Sequence, residues 1–275
     1  MSIYFYDSSS KPDTIQSTLN FLLSQRRLIW KLAQHEVFLK YKRSVLGILW
    51  SFLNPVLISA VIFFVFGRIF NGYLPDQRGY AGYIYTGILM QVLVIQGIAL
   101  AGQSIPQNLN LILKLRVQPC IFAVSGGVSQ VIHLFVGLIG LIPIFIFYGQ
   151  APSLKILLLP IFFALSSLCF AGISMLLAGL FVKFDDTAYL LNAFLMIFSY
   201  LSPILYPIDI LEGIIRKLVL VNPITSWIMV FRWMIFENQE VYVYSFVIVV
   251  STSVFFFILG IKHLNTRWKD YVMYI

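Results

Sequence analysis

The residues able to do acid–base, nucleophilic or metal chemistry are few and scattered. The three histidines, His35, His133 and His263, lie in different parts of the chain, and both cysteines, Cys120 and Cys169, sit inside apolar runs. That spacing makes neither a metal-ligand cluster nor a disulfide framework. There is no G-x-x-x-x-G-K-[ST] loop to cradle a nucleotide's phosphates, no H-E-x-x-H and no G-x-S-x-G. No catalytic residue and no metal ligand is assigned, and the chain reads as a non-enzyme. His133, close to Gln130 within an apolar run, reads as a hydrogen-bonded interior residue rather than a proton relay. The densest group of positive charge is Lys40, Lys42 and Arg43. These cations could attract a phosphate-bearing headgroup, or they could only set topology and hold anionic lipid.

The elements that position these residues are membrane elements. A chain of 275 residues that is 60% hydrophobic and 11% charged cannot place so much apolar surface in one soluble core, so it is an integral membrane protein. Its net charge of +8 then belongs beside membrane spans rather than on nucleic acid. The opening residues lack an apolar core behind a basic start, so no cleaved leader is expected. Between 15 and 41 the apolar residues recur at helical spacing, with polar residues on the other face. This predicts an amphipathic interfacial helix, serving either as a lipid-surface anchor or as a surface that docks a partner.

A helix needs about 20 apolar residues to cross the hydrocarbon. Six runs reach that length, at 45–67, 83–101, 119–148, 154–182, 188–206 and 243–261. The expected fold is therefore an all-α membrane protein of six transmembrane helices, divided into a tail and interfacial helix over 1–44 and a six-span domain over 45–275. Two short re-entrant helices, broken at Asn222-Pro223, are expected between the fifth and sixth spans, because each half of that apolar connection is too short to span. Non-helical backbone at that depth requires surrounding protein or a water-filled cavity.

Alternate connections differ in charge. One set carries Lys11, Arg26, Arg27, Lys31, Lys40, Lys42, Arg43, Lys114, Arg116, Lys183, Lys262, Arg267 and Lys269, and the other only Arg68, Arg78, Lys155, Arg216, Lys217 and Arg232. By the positive-inside rule both termini are expected in the cytoplasm. Apart from His133, the middles of the runs hold only amides and hydroxyls such as Gln91, Gln96, Gln130, Ser166, Ser174 and Asn192. An ion-coupled transporter would keep ionisable groups there. The energy for any transport is therefore expected from outside this polypeptide. Small residues such as Ser125, Gly126, Gly127, Ser129, Gly172 and Gly179 read as close helix packing. Tyr80, Tyr83, Tyr85, Tyr200 and Tyr206 gather toward the ends opposite the basic set, either as an interfacial belt or as a pathway along which sugar rings slide.

With these pieces placed, the chain resembles, over about 28–268, the ABC-2 membrane subunits that export polysaccharides, above all the O-antigen, capsule and teichoic-acid permeases. Tyr41-Lys42-Arg43-Ser44-Val45-Leu46-Gly47-Ile48-Leu49-Trp50 with Asn54-Pro55 looks like that family's signature at the entry to the first span. Ser202-Pro203-Ile204-Leu205-Tyr206-Pro207 looks like its motif closing the fifth, and Asn222-Pro223-Ile224 with Phe231-Arg232 is similar to the segment that follows. The resemblance implies a homodimer in a bacterial inner membrane and an undecaprenyl-type lipid-linked glycan as cargo. It also implies two copies of a separate ATPase that hold the ATP and Mg, with no cofactor on this chain. It places ATPase contacts at Arg27, Lys31, His35, Asn108, Lys114 and Arg116. Headgroup contacts fall at Lys40, Lys42 and Arg43, channel-lining aromatics at Tyr80, Tyr83, Tyr85, Tyr200 and Tyr206, and an external gate at Pro203, Pro207, Asn222, Pro223 and Arg232. A small-lipid or drug exporter, and a membrane scaffold or enzyme without an ATPase, are the other function classes the sequence leaves open.

Overall fold

A computed structural model describes residues 15–69, 77–115, 117–148, 152–184, 186–237 and 239–272. Among them the secondary structure is helical throughout, apart from one isolated bridge between Pro152 and Phe236. The interfacial stretch folds as two helices, α1 (Ile15–Ser24) and α2 (Arg26–Tyr41), with Gln25 at the break. Ile29, Ala33 and Val37, one turn apart, form the buried stripe of α2, while Trp30 and Phe38 stay exposed. The turn after α2 reaches Gly47, whose φ of +53° lies in the left-handed region that a glycine occupies without a Cβ clash. This turn swings the chain into the first span, α3 (Trp50–Ile69).

α4 (Gln77–Gln107) is the most deeply embedded long helix, with Ile84, Tyr85, Ile88, Met90, Ala101 and Ile105 along its buried faces. It runs past the predicted limit of the second span and turns at Asn108 into the short α5 (Leu109–Leu115). The third run forms α6 (Pro119–Gly137) and α7 (Leu141–Tyr148), joined through a single 3-10 turn. The fourth forms α8 (Leu159–Lys183), which begins with a 3-10 turn over Leu154–Leu158. α9 (Thr187–Tyr200), the folded part of the fifth run, has 14 helical residues. It is shorter than its run because Pro203 offers no N–H and disfavours helical backbone at Ser202. After it come α10 (Gly213–Val221), α11 (Pro223–Ile235) and α12 (Val243–Val272).

Five helices are long and apolar enough to cross a membrane, and α10 with α11, bent by 79° at Asn222, is the only further stretch of sufficient length and hydropathy among the described residues. Asn222 makes that bend locally stable. Its Oδ1 accepts the Ile224 N–H at 3.0 Å as the cap of α11, and Pro223 fills the first helical position, where no N–H is needed.

α4, α6, α8, α11 and α12 build the centre of the bundle, while α3 and α9 show large apolar faces to the outside of this single chain, including Val61, Phe64, Phe194 and Ile197. The tightest crossing is between α8 and α12. A Cβ on Gly172 would land on the Phe256–Phe257 backbone, and one on Gly260 would lie 2.5 Å from the Gly172 carbonyl oxygen. Such contact between small residues lets backbones approach where lipid offers no hydrophobic driving force. Gly172→Val is therefore expected to destabilise the subunit by about 1–3 kcal/mol or more, seen as a lower thermal midpoint in detergent. Gly47→Ala, with nothing near its Cβ but a strained φ, should instead perturb the α2–α3 turn and spare the bundle.

Candidate functional site

Two polar constellations lie at opposite ends of the bundle. At the α2 end, a cavity of about 250 Å3 opens between α2, α3, α4 and α6. Its polar wall is Lys40, Tyr41, Ser51, Asn54, Gln96, Gln130 and His133, and its apolar wall includes Trp50, Leu89, Val92 and Leu93. Lys40 Nζ donates to Gln96 Oε1 at 3.1 Å. Burial holds the Lys40 ammonium below its ordinary range. Ser51 Oγ is 3.0 Å from the Tyr41 hydroxyl and 2.9 Å from His133 Nδ1, and the Tyr41 and His133 rings meet edge to face at 5.6 Å. This chain of contacts ties the end of α2 to α3 and α6. Chemically the cavity presents one cation and neutral donors above an apolar floor, which suits an anionic group carried on an apolar tail.

On the next face of α2, Glu36 Oε1 accepts from Ser125 Oγ of α6 at 3.2 Å. Burial pushes this carboxyl up to about 7, although hydrogen bonds from Ser129 and Ser125 favour its charged form. The outer face of α2 carries Arg27, Lys31 and His35 as an exposed stripe one turn apart. At the α4–α5 corner Asn108 is held by a 2.7 Å bond from its Nδ2 to the Ser104 carbonyl, and Lys114 is exposed. Arg116 lies outside the described residues. Lys42 and Arg43 are exposed on the turn after α2, outside the cavity that Lys40 lines.

At the other end, Arg232 of α11 is 2% exposed. Its guanidinium donates to the carbonyls of Pro203 at 2.6 Å, Tyr83 at 2.8 Å and Ile204 at 3.1 Å, and lies 3.4 Å from the centre of the Tyr83 ring. Tyr83 in turn donates to the carbonyls of Tyr206 at 2.8 Å and Pro203 at 3.1 Å, and Tyr80 donates to that of Leu205 at 2.9 Å. Asn222 completes the knot, donating to Phe198 O and Ser202 Oγ, each at 2.9 Å. Pro203, Asn222, Pro223 and Arg232 thus meet in one place, and Pro207 leads the same segment into a 3-10 turn at Ile208–Ile210.

The tyrosines divide differently from the expectation that all five line a pathway. Tyr80 and Tyr85 are buried within this subunit, and the Tyr85 hydroxyl donates to the Gly137 carbonyl at 2.5 Å. Their rings fill the core, and their hydroxyls satisfy the carbonyls of Leu205 and Gly137. Tyr83 is committed to the knot, Tyr206 is half-buried, and only Tyr200 of the five is exposed. Sequence reasoning did not single out Glu36 or Ser51 as functional. A signal existed for Glu36: it falls on the heptad that runs through Ile29, Ala33 and Lys40, so an ionisable residue lies along the buried stripe. Among the described residues no group of three or more His, Cys, Asp or Glu could hold a metal ion.

Residues 27–236 match the model of a family described as ABC-2 type transporter. The chain is similar to the O-antigen export system permease protein RfbA of Myxococcus xanthus, 24% identical over 79% of this chain and 84% of the relative. It is also similar to RfbA of Klebsiella pneumoniae, 25% identical over 86% of this chain and 91% of the relative. A more distant match is the capsule polysaccharide export inner-membrane protein CtrC of Neisseria meningitidis, 28% identical over 43% of this chain and 48% of the relative.

The Arg232 knot makes a direct prediction. Arg232→Ala strands at least three buried carbonyls, each at about 1–3 kcal/mol, and should sharply lower the yield of monodisperse protein in gel filtration. Arg232→Lys should rescue little, because one ammonium cannot follow the planar fork to Tyr83, Pro203 and Ile204 together.

Proposed function

Because this chain belongs to the ABC-2 type transporter family, we propose that it is the membrane subunit of an ATP-driven exporter that moves a lipid-linked, O-antigen-like polysaccharide outward across a bacterial inner membrane. As a family member with several apolar helices it is a multi-pass membrane component of a transporter. The single observation that carries the substrate class is the similarity to O-antigen export permeases along most of both chains. A capsule polysaccharide is the second reading, favoured by the likeness to CtrC.

In this reading two copies of a separate ATPase supply ATP and Mg chemistry, and both termini of this chain face them in the cytoplasm. The ATPase presses on the Arg27, Lys31 and His35 stripe of α2 and on the α4–α5 corner with Asn108, Lys114 and Arg116. Two copies of this chain meet through the exposed apolar faces of α3 and α9. Lys42 and Arg43, exposed beside the Lys40 cavity, attract the pyrophosphate of an undecaprenyl-type carrier. The segment held by Arg232 forms the external gate, opening as a body with α10 and α11. The glycan passes between the subunits against exposed aromatics such as Tyr200, whose ring face tolerates many sugars.

Expression of this chain with its neighbouring genes, followed by affinity purification, tests the division of labour. A stoichiometric subunit with a phosphate-cradling loop should co-purify, and its absence would sink the exporter reading. Lys42→Glu with Arg43→Glu is expected to cut surface polysaccharide at least about tenfold, as about 1.4 kcal/mol of lost attraction would, with membrane insertion preserved. Normal export in that variant would leave these cations a topological role alone.

A further inference from the structure

Glu36 and Lys40 are four residues apart on α2, the spacing at which a glutamate and a lysine ordinarily pair on a helix surface. Here the pair is split. Lys40 reaches into the cavity to Gln96 of α4, while Glu36 turns to Ser125 of α6. Among the described residues, neither has an ion-pair partner; the pairs there are Lys155–Glu237 and Arg216–Asp209. A carboxyl therefore lies between an amphipathic helix and a span with serine hydroxyls as its partners. The Ser125 hydroxyl also points to the Phe122 carbonyl at 2.9 Å, so its one proton is shared between two acceptors. A carboxylate docked this way is poorly compensated, whereas a neutral carboxyl can itself donate to the serine.

We propose that Glu36 is a proton-coupled latch between α2 and α6: its carboxyl is protonated while seated against Ser125 and Ser129, and its O–H bond breaks when α2 lifts away, the proton passing to water at that end of the bundle. The proposal rests on the exporter reading only for what moves α2. The geometry suits a latch because the same helix face anchors α2 through Ile29, Ala33 and Val37. Displacing α2 along or away from α6 thus draws Glu36 out of its seat. Facing groups do not offer another charge. α6 presents Cys120 and His133, the turn at Gly47–Leu49 presents none, and on α2 itself His35 is exposed and Lys40 is bound to Gln96. Burial and the two serines account for the carboxyl's behaviour.

The sign follows from the two end states. The free carboxyl has the ordinary value of 4.5 and the seated one about 7. Seating takes up a proton across that window. It is tightest below the window, weakens by up to about tenfold per pH unit as pH rises through it, and levels off above about 7. Acidification at the α2 end therefore locks the helix down.

The test uses the full chain in lipid nanodiscs without any ATPase, with spin labels at Gln34→Cys and Lys262→Cys. Both positions are exposed, and the native cysteines are buried. Pulsed electron resonance should show the seated distance gaining population as pH falls from 8 to 5, with Glu36→Gln holding one seated distribution at every pH. Ser125→Ala, which removes a bond favouring the charged form, should move the midpoint to higher pH, and it serves as the test should Glu36→Gln fail to insert. A wild-type distribution indifferent to pH, a pH response that survives Glu36→Gln, or a midpoint unmoved by Ser125→Ala would each overturn the latch. An intact pH response in a wild-type chain that supports no ATP-dependent export would count against the exporter reading instead.

Discussion

One buried guanidinium holds together the part of this protein where its helices break. Within a membrane every backbone carbonyl must find a donor inside the protein, and the helix of the fifth run ends at Tyr200 with an apolar, non-helical segment still to be placed. Arg232 supplies donors to Pro203 and Ile204 from that segment and to Tyr83 from α4. Tyr80 and Tyr83 take further carbonyls of the same segment. A charged side chain buried this completely is otherwise costly. Here the carbonyl oxygens and the Tyr83 ring stand in for the water that the guanidinium has lost.

The two ends of the bundle are consequently built for different work. Around Arg232, several hydrogen bonds to one charged group cross between three chain segments, so they break together or not at all. At the α2 end the contacts are single and separable: Lys40 with Gln96, Ser51 with Tyr41 and His133, Glu36 with Ser125. Each is worth on the order of 1 kcal/mol net, and a cavity lies among them. Motion applied to α2 can rearrange these one at a time, while the Arg232 knot carries α4, α11 and the segment between α9 and α10 as one piece. In the proposed export cycle, that contrast would let a force enter at α2 and a gate respond at the far end.

Much of this architecture was legible in the sequence because membrane spans announce themselves by length and hydropathy. The bend at Asn222-Pro223 was legible for a local reason, a capping side chain followed by a proline. Arg116, drawn into the expectations from family resemblance, lies outside the described residues. The tyrosines separate only in the structure, because ring count and position along a run do not reveal which side of a helix faces the core. Tyr85 and Tyr80 point inward and Tyr200 outward. Arg232 was flagged for its motif, but its carbonyl partners are 28 or more residues away in sequence, a distance no local pattern spans. For Glu36 the heptad marks its place on the helix, but its serine partners lie on another helix, where composition reads only small packing residues.

The central claim is that this subunit moves a lipid-linked glycan only when an ATPase works against α2. Inside-out membrane vesicles containing this chain and the ATPase that co-purifies with it, loaded on their outer face with radiolabelled lipid-linked glycan, measure it directly. The account predicts ATP-dependent transfer of label to the vesicle interior, abolished when the ATPase is omitted or made unable to hydrolyse ATP. Transfer that proceeds equally without the ATPase, or no transfer with both proteins and ATP present, would contradict it.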